Sequence, residues 1–196
     1  MSAFPIFSLK DIRPIAPNFY RGRLNDWQKK GYIKKIVNKY YIFTDVAVNE
    51  PLLYLIANKI YYPSYVSLET ALSYHGLIPE AVYGITSVST KRTYSFNTHF
   101  AAFSYCKISP RLFFGYNLEK LNGYYVKMAS PEKAVLDFFY HSSRMDKKGE
   151  IEEMRFNEDS FREKISPGEL RKMLEFIDND KLTRRINILL KLMQNA

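Results

Sequence analysis

Asn18, Arg21, Asn25 and Lys29 recur at near-helical intervals early in the chain, with Arg23 on their flank. These are side chains that read nucleic acid: Arg and Lys pair with guanine edges or phosphate, and Asn pairs bidentately with adenine. Lys34, Lys35 and Lys39 follow closely, and their ammonium groups suit phosphate contacts. A polar outward stripe is equally the ordinary solvated face of an amphipathic helix, so the stripe alone leaves both readings open. Gly22 lies within it at a cost of roughly 1 kcal/mol relative to Ala. It marks either a close approach to a sugar-phosphate backbone or a plain flexible position.

The elements that must hold these residues follow from periodicity. Ser8 is placed to cap a short helix, with Asp11 in capping-box position and Leu9 and Ile12 facing inward. Pro14 and Pro17 interrupt it. A second helix is predicted over Asn18–Lys30, stopped by Gly31, with Tyr20, Leu24 and Trp27 as its buried stripe. Strands Tyr32–Ile36 and Tyr40–Phe43 around Asn38-Lys39 complete a basic hairpin, in which Lys34, Lys35 and Lys39 point away from Ile33 and Ile36. A helix leading directly into such a hairpin is the outline of a winged helix-turn-helix.

The charge is distributed in the same sense. Residues 1–43 carry nine Lys/Arg against two acids, whereas residues 146–196 carry eleven of each, so most of the net +9 sits in the first quarter. This asymmetry suits a polyanion-binding module on a neutral body, although basic charge also serves solubility alone. The single Cys106 rules out an internal disulfide framework and a multi-cysteine zinc site. The absence of a long apolar run or a signal-like N-terminus predicts a cytoplasmic protein without a membrane partner.

Beyond residue 48 the pattern predicts helices over Pro51–Ile60 and from Ser67 to Gly76, then strands between Tyr83 and Met128 with turns at Asn97-Thr98 and Asn122-Gly123. An apolar helix follows from Ser130-Pro131 to Tyr140. Residues 142–160 read as a polar, mobile or locally helical excursion. Ser166-Pro167-Gly168-Glu169 and Asp180 open a terminal helical hairpin. The expected fold is α+β: a winged helix-turn-helix over 1–48, then over 49–196 a mostly antiparallel sheet packed by helices.

Phe7-Ser8-Leu9-Lys10-Asp11-Ile12, with Leu24 and Trp27 before Lys30-Gly31-Tyr32-Ile33, resembles the winged-helix start of the AbiEi-type antitoxins of abortive-infection toxin–antitoxin systems. The block Pro63-Ser64-Tyr65-Val66-Ser67-Leu68-Glu69-Thr70-Ala71-Leu72-Ser73-Tyr74-His75-Gly76-Leu77-Ile78-Pro79-Glu80 is similar to that family's central signature. The likeness continues through Ile85–Thr93 and Pro131–Asp137, covering roughly residues 7–140. It implies a transcriptional autorepressor that binds inverted repeats upstream of its own operon. It also implies an antitoxin domain opposing a nucleotidyltransferase-like toxin without a stable complex. Winged helices normally carry a helix before the segment matching Phe7–Ile12, and only six residues precede Phe7 here. Either the Pro51–Ile60 helix completes the small core or the module is degenerate.

Enzymatic readings are weaker. His75, His99, His141 and Cys106 lack the local context of a catalytic motif. Asp178 and Asp180 have the spacing of a metal-binding pair but sit where a helix stop and cap belong, and Lys133 with Asp137 reads as an i, i+4 salt bridge. The residues therefore predict a non-enzymatic regulator without cofactor or metal, binding duplex DNA as a monomer or weak dimer. The alternative is a non-catalytic protein- or RNA-interaction module.

Overall fold

The computed structural model describes residues 5–80, 82–142 and 144–194. It is a mixed α/β protein with two sheets, one antiparallel and one mixed.

The chain begins with β1 (Ile6–Ser8), α1 (Leu9–Ile12), α2 (Gly22–Lys29), β2 (Ile33–Val37) and β3 (Tyr40–Phe43). The strands form an antiparallel sheet in the order β1-β3-β2. The sequence pattern predicts no strand before α1; β1 ends at Ser8, whose amide and hydroxyl both donate to the Asp11 carboxylate at 2.7 Å in the capping box. The second helix is shorter than expected: Asn18, Phe19 and Tyr20 lie outside it, and α2 starts at Gly22. Its C-terminus closes as predicted. Gly31, at φ 74°, follows the cap; its amide donates to Gln28 O and that of Tyr32 to Trp27 O, the Schellman arrangement.

This small sheet buries both faces. On one, Phe7, Leu24, Ile33 and Tyr41 form a core with Phe19 and Trp27, whose rings meet edge-on at 5.4 Å. Tyr20, expected inside, is 73% exposed, and Phe19 takes its place. On the other face Ile6, Ile36 and Ile42 join the main core, to which Leu52, Ile56 and Ile60 of α3 (Glu50–Ile60) also belong. The core thus continues across the 48/49 boundary.

The second sheet contains β4 (Ser64–Val66), β5 (Ile85–Ser89), β6 (Tyr94–Asn97), β7 (Ala102–Lys107), β8 (Tyr116–Leu121) and β9 (Tyr124–Ala129), in the order β6-β7-β5-β4-β9-β8. Of its five pairings, β5–β7 and β4–β9 are parallel, so the sheet is mixed and only partly the antiparallel one predicted. Local alternation identifies strands but carries no information about which distant strand pairs with which.

Helices α4 (Leu68–Tyr74) and α5 (Pro131–His141) pack together, and α8 (Pro167–Ile177) and α9 (Asp180–Gln194) both lie against α5. Between α5 and α8, of the two readings of the polar excursion the locally helical one matches: α6 (Lys148–Glu152) and α7 (Glu158–Lys164) form there, pinned by buried Ile151, Phe156 and Phe161. Asp178 is a left-handed C-cap at φ 53°, and the last helix is capped by Asn179, whose Oδ1 accepts from Leu182 N at 3.0 Å, rather than by Asp180. Among the described residues no helix is long and apolar enough to cross a membrane.

Candidate nucleic-acid interface

Strand register decides which hairpin lysines share a face with α2. Residues directly opposite one another in an antiparallel pair project to the same side of the sheet. Lys35 stands opposite Tyr41, which packs with Leu24 of α2, so Lys35 faces the helix side. Lys34 stands opposite Ile42, which enters the main core, so it leaves from the other side. The sequence placed both lysines together; the sheet separates them. The register shifts between Lys35 and Val37, and this bulge precedes the turn that carries Lys39.

On the helix side the side chains converge. Arg21, Asn25, Gln28 and Lys35 line one open hollow of about 660 Å³, with Tyr20 and Tyr41. A neighbouring hollow of about 300 Å³ shares Arg21 and Tyr41 and adds Lys10 and Lys39. Arg21, Asn25 and Gln28 fall at i, i+4 and i+7 along α2, forming its flank toward the hairpin. Gln28 and Lys10 were not singled out from the sequence. Gln28 was legible as the amide seven residues beyond Arg21, whereas the approach of Lys10 is a tertiary fact.

The other predicted contacts are more dispersed. Arg23 and Lys29 are exposed on α2 but line neither hollow, and Asn18 is exposed in the coil before the helix. Asp26, also exposed, puts one carboxylate on the outer side of α2. A Cβ at Gly22 would meet the ring of Tyr20, which lies over the start of the helix but is largely exposed and free to swing aside. Lys39 sits at φ 75°, where a lysine costs about 1–2 kcal/mol.

Of the residues weighed for catalysis, Lys133, Asp137, His75 and Asp178 are held in structural contacts. Lys133 and Asp137 form an ion pair, each only 1% exposed, and Tyr65 and Ser67 donate to the same Asp137 carboxylate at 2.9 and 2.8 Å. The Ser67 hydroxyl is thereby diverted from capping α4. Burial pushes the half-buried Cys106 thiol up, away from the thiolate form. His99 is exposed beside the β6–β7 turn. Among the described residues no three His, Cys, Asp or Glu side chains gather in a metal-holding group.

His75 donates from Nε2 to Ala129 O at 2.8 Å. Burial lowers its pKa below the ordinary 6.5, the Ala129 bond opposing and Lys164 assisting; burial likewise lowers that of His141. A lowered folded pKa means that the unfolded chain binds more protons between the two values. The stabilisation is therefore full above about pH 6.5 and is lost as pH falls through the folded pKa. Urea midpoints measured between about pH 8 and about pH 5 should fall less steeply for a His75→Gln/His141→Gln variant than for the wild type. Equal slopes would show that the imidazoles do not contribute.

No protein-family model matches the chain, and no curated protein matches it significantly.

Proposed function

We propose that the chain binds duplex DNA through α2 and the β2–β3 hairpin, as the regulator of a toxin–antitoxin operon that the family resemblance implies. The observation that carries this reading is the convergence of Arg21, Asn25, Gln28 and Lys35 on one exposed hollow, with Lys10 and Lys39 beside it. Side chains able to read base edges occupy the helix, and lysines able to hold phosphates surround it.

The element order β1-α1-α2-β2-β3 with sheet order β1-β3-β2 supports a winged-helix reading of this module. The main core takes up the sheet face carrying Ile6, Ile36 and Ile42, which anchors the module to the rest of the fold. A lysine retained at the strained tip position of Lys39 fits a phosphate contact.

In this reading two copies occupy an inverted repeat upstream of the chain's own operon. The rest of the protein opposes a nucleotidyltransferase-like toxin without a stable complex. No heptad seam provides for a strong dimer, so the chain is a monomer or weak dimer that pairs on DNA.

The sheet register supplies a test. In a gel-shift titration on a duplex selected from a random pool, Lys35→Ala should weaken binding by about threefold to tenfold, evenly across sequences. Lys34→Ala, on the opposite face, should stay within about twofold of wild type. An equal or larger loss for Lys34→Ala would reject this orientation of the hairpin.

A further inference from the structure

A third hollow, of about 400 Å³, opens where the N-terminal module meets α3 and the β8–β9 edge of the large sheet. The helix-side surface just described does not account for its chemistry. Three large side chains around it remain exposed: Tyr62 at 63%, Leu118 at 60% and Tyr125 at 57%. Leu118 lies opposite Lys127 in the β8–β9 ladder, and Tyr125 precedes Lys127 by two residues, so the three share one face of the sheet.

Three ammonium groups complete the lining, from Lys10, Lys59 and Lys127. Among the described residues none of them forms an ion pair with a carboxylate. The one carboxylate in the lining, that of Asp11, is engaged by the Ser8 amide and hydroxyl. The Lys127 ammonium lies 5.2 Å from the centre of the Tyr62 ring, which shows how closely cation and aromatic faces are interleaved. The floor is fixed: Asn58 of α3 accepts from Lys127 N at 2.6 Å and donates to Lys127 O at 3.3 Å, clamping helix to strand.

Aromatic faces beside ammonium groups that, among the described residues, meet no carboxylate select a ligand that joins a planar ring to several negative charges. We propose that this hollow binds a nucleoside polyphosphate, its base against Tyr62 and Tyr125 and its phosphates on Lys10, Lys59 and Lys127. The volume suits one nucleotide, within the range of about 300–1,000 Å³ usual for small-molecule sites. Lys10 and Tyr40 from the N-terminal module flank it on one side and Leu118 and Tyr125 of the β8–β9 edge on another. Ser8, Lys10 and Tyr40 also line the smaller hollow beside α2, so an occupant here shares wall residues with the proposed DNA face.

The test is isothermal titration calorimetry of the full chain, without DNA, against each of the four ribonucleoside triphosphates, inorganic tripolyphosphate and a short single-stranded oligonucleotide. At least one triphosphate should bind one-to-one with Kd between about 1 µM and about 1 mM. Tripolyphosphate should bind at least about tenfold more weakly, because it lacks the stacking contribution. Tyr125→Ala and Lys59→Glu, both at exposed positions, should each weaken the triphosphate about tenfold without changing the melting temperature, and Arg21→Ala should leave it unchanged. No heat from any triphosphate at about 5 mM, tripolyphosphate binding as tightly, or insensitivity to both substitutions would overturn the proposal. So would tighter binding of the oligonucleotide, which would make the surface a strand platform instead. Since no DNA is present, these failures leave the proposed duplex reading untouched.

Discussion

Asp137→Ala is expected to destabilise the fold by about 3–5 kcal/mol, the usual cost of removing one partner of a buried ion pair. The carboxylate serves three donors at once: the Lys133 ammonium on one oxygen, and the Tyr65 and Ser67 hydroxyls on the other. Removing it leaves a buried cation whose remaining close neighbours include the ring faces of Phe114 at 5.1 Å and Tyr65 at 5.7 Å. Such a loss is a large part of the roughly 5–15 kcal/mol that holds an ordinary domain together. Replacing both partners, as in Lys133→Met/Asp137→Leu, should cost clearly less, because no charge is then stranded. Urea unfolding of the two variants separates the cases. A loss below about 1 kcal/mol for Asp137→Ala, or a greater loss for the double replacement, would contradict a structural role for the pair.

The Arg21→Ala/Asn25→Ala variant is expected to lose DNA affinity by roughly 30-fold or more, from about 1–3 kcal/mol for each lost base contact. Its preference among sequences should relax at the same time, unlike that of a lysine variant, which loses only phosphate contacts. Both side chains are exposed and on α2 or its first boundary, so the fold should survive. Gel-shift titration on the selected duplex and on scrambled duplexes gives both quantities. Wild-type affinity with retained preference would remove α2 as the reader.

Much of this organisation was legible in residue order because it is locally encoded. The Ser8–Asp11 box, the Gly31 and Gly76 stops, the Asn122-Gly123 turn, and the Ser130 and Ser166 caps each depend on a few neighbouring residues. The misplaced start of α2 has an equally local cause. Tyr20 and Phe19 are adjacent aromatics, and the helical period fits Tyr20 with Leu24 and Trp27. The ring that enters the core is Phe19, reached from non-helical backbone to which that period does not apply. β1 spans only three residues, too few for alternation to register. Parallel pairing, the opposite faces of Lys34 and Lys35, and the arrival of Lys10 beside Arg21 are set by tertiary contacts that no short window contains.

The central claim, that the α2–hairpin face grips duplex DNA, is tested most directly by fluorescence anisotropy of the selected duplex titrated with the full chain across a salt series. If Lys10, Arg23, Lys29, Lys35 and Lys39 each neutralise one phosphate, log K should fall against log salt with a slope of roughly −4 to −5 per protomer. Lys39→Ala should make that slope shallower by about one. A slope near zero, or no duplex binding at low salt and micromolar protein, would contradict the account.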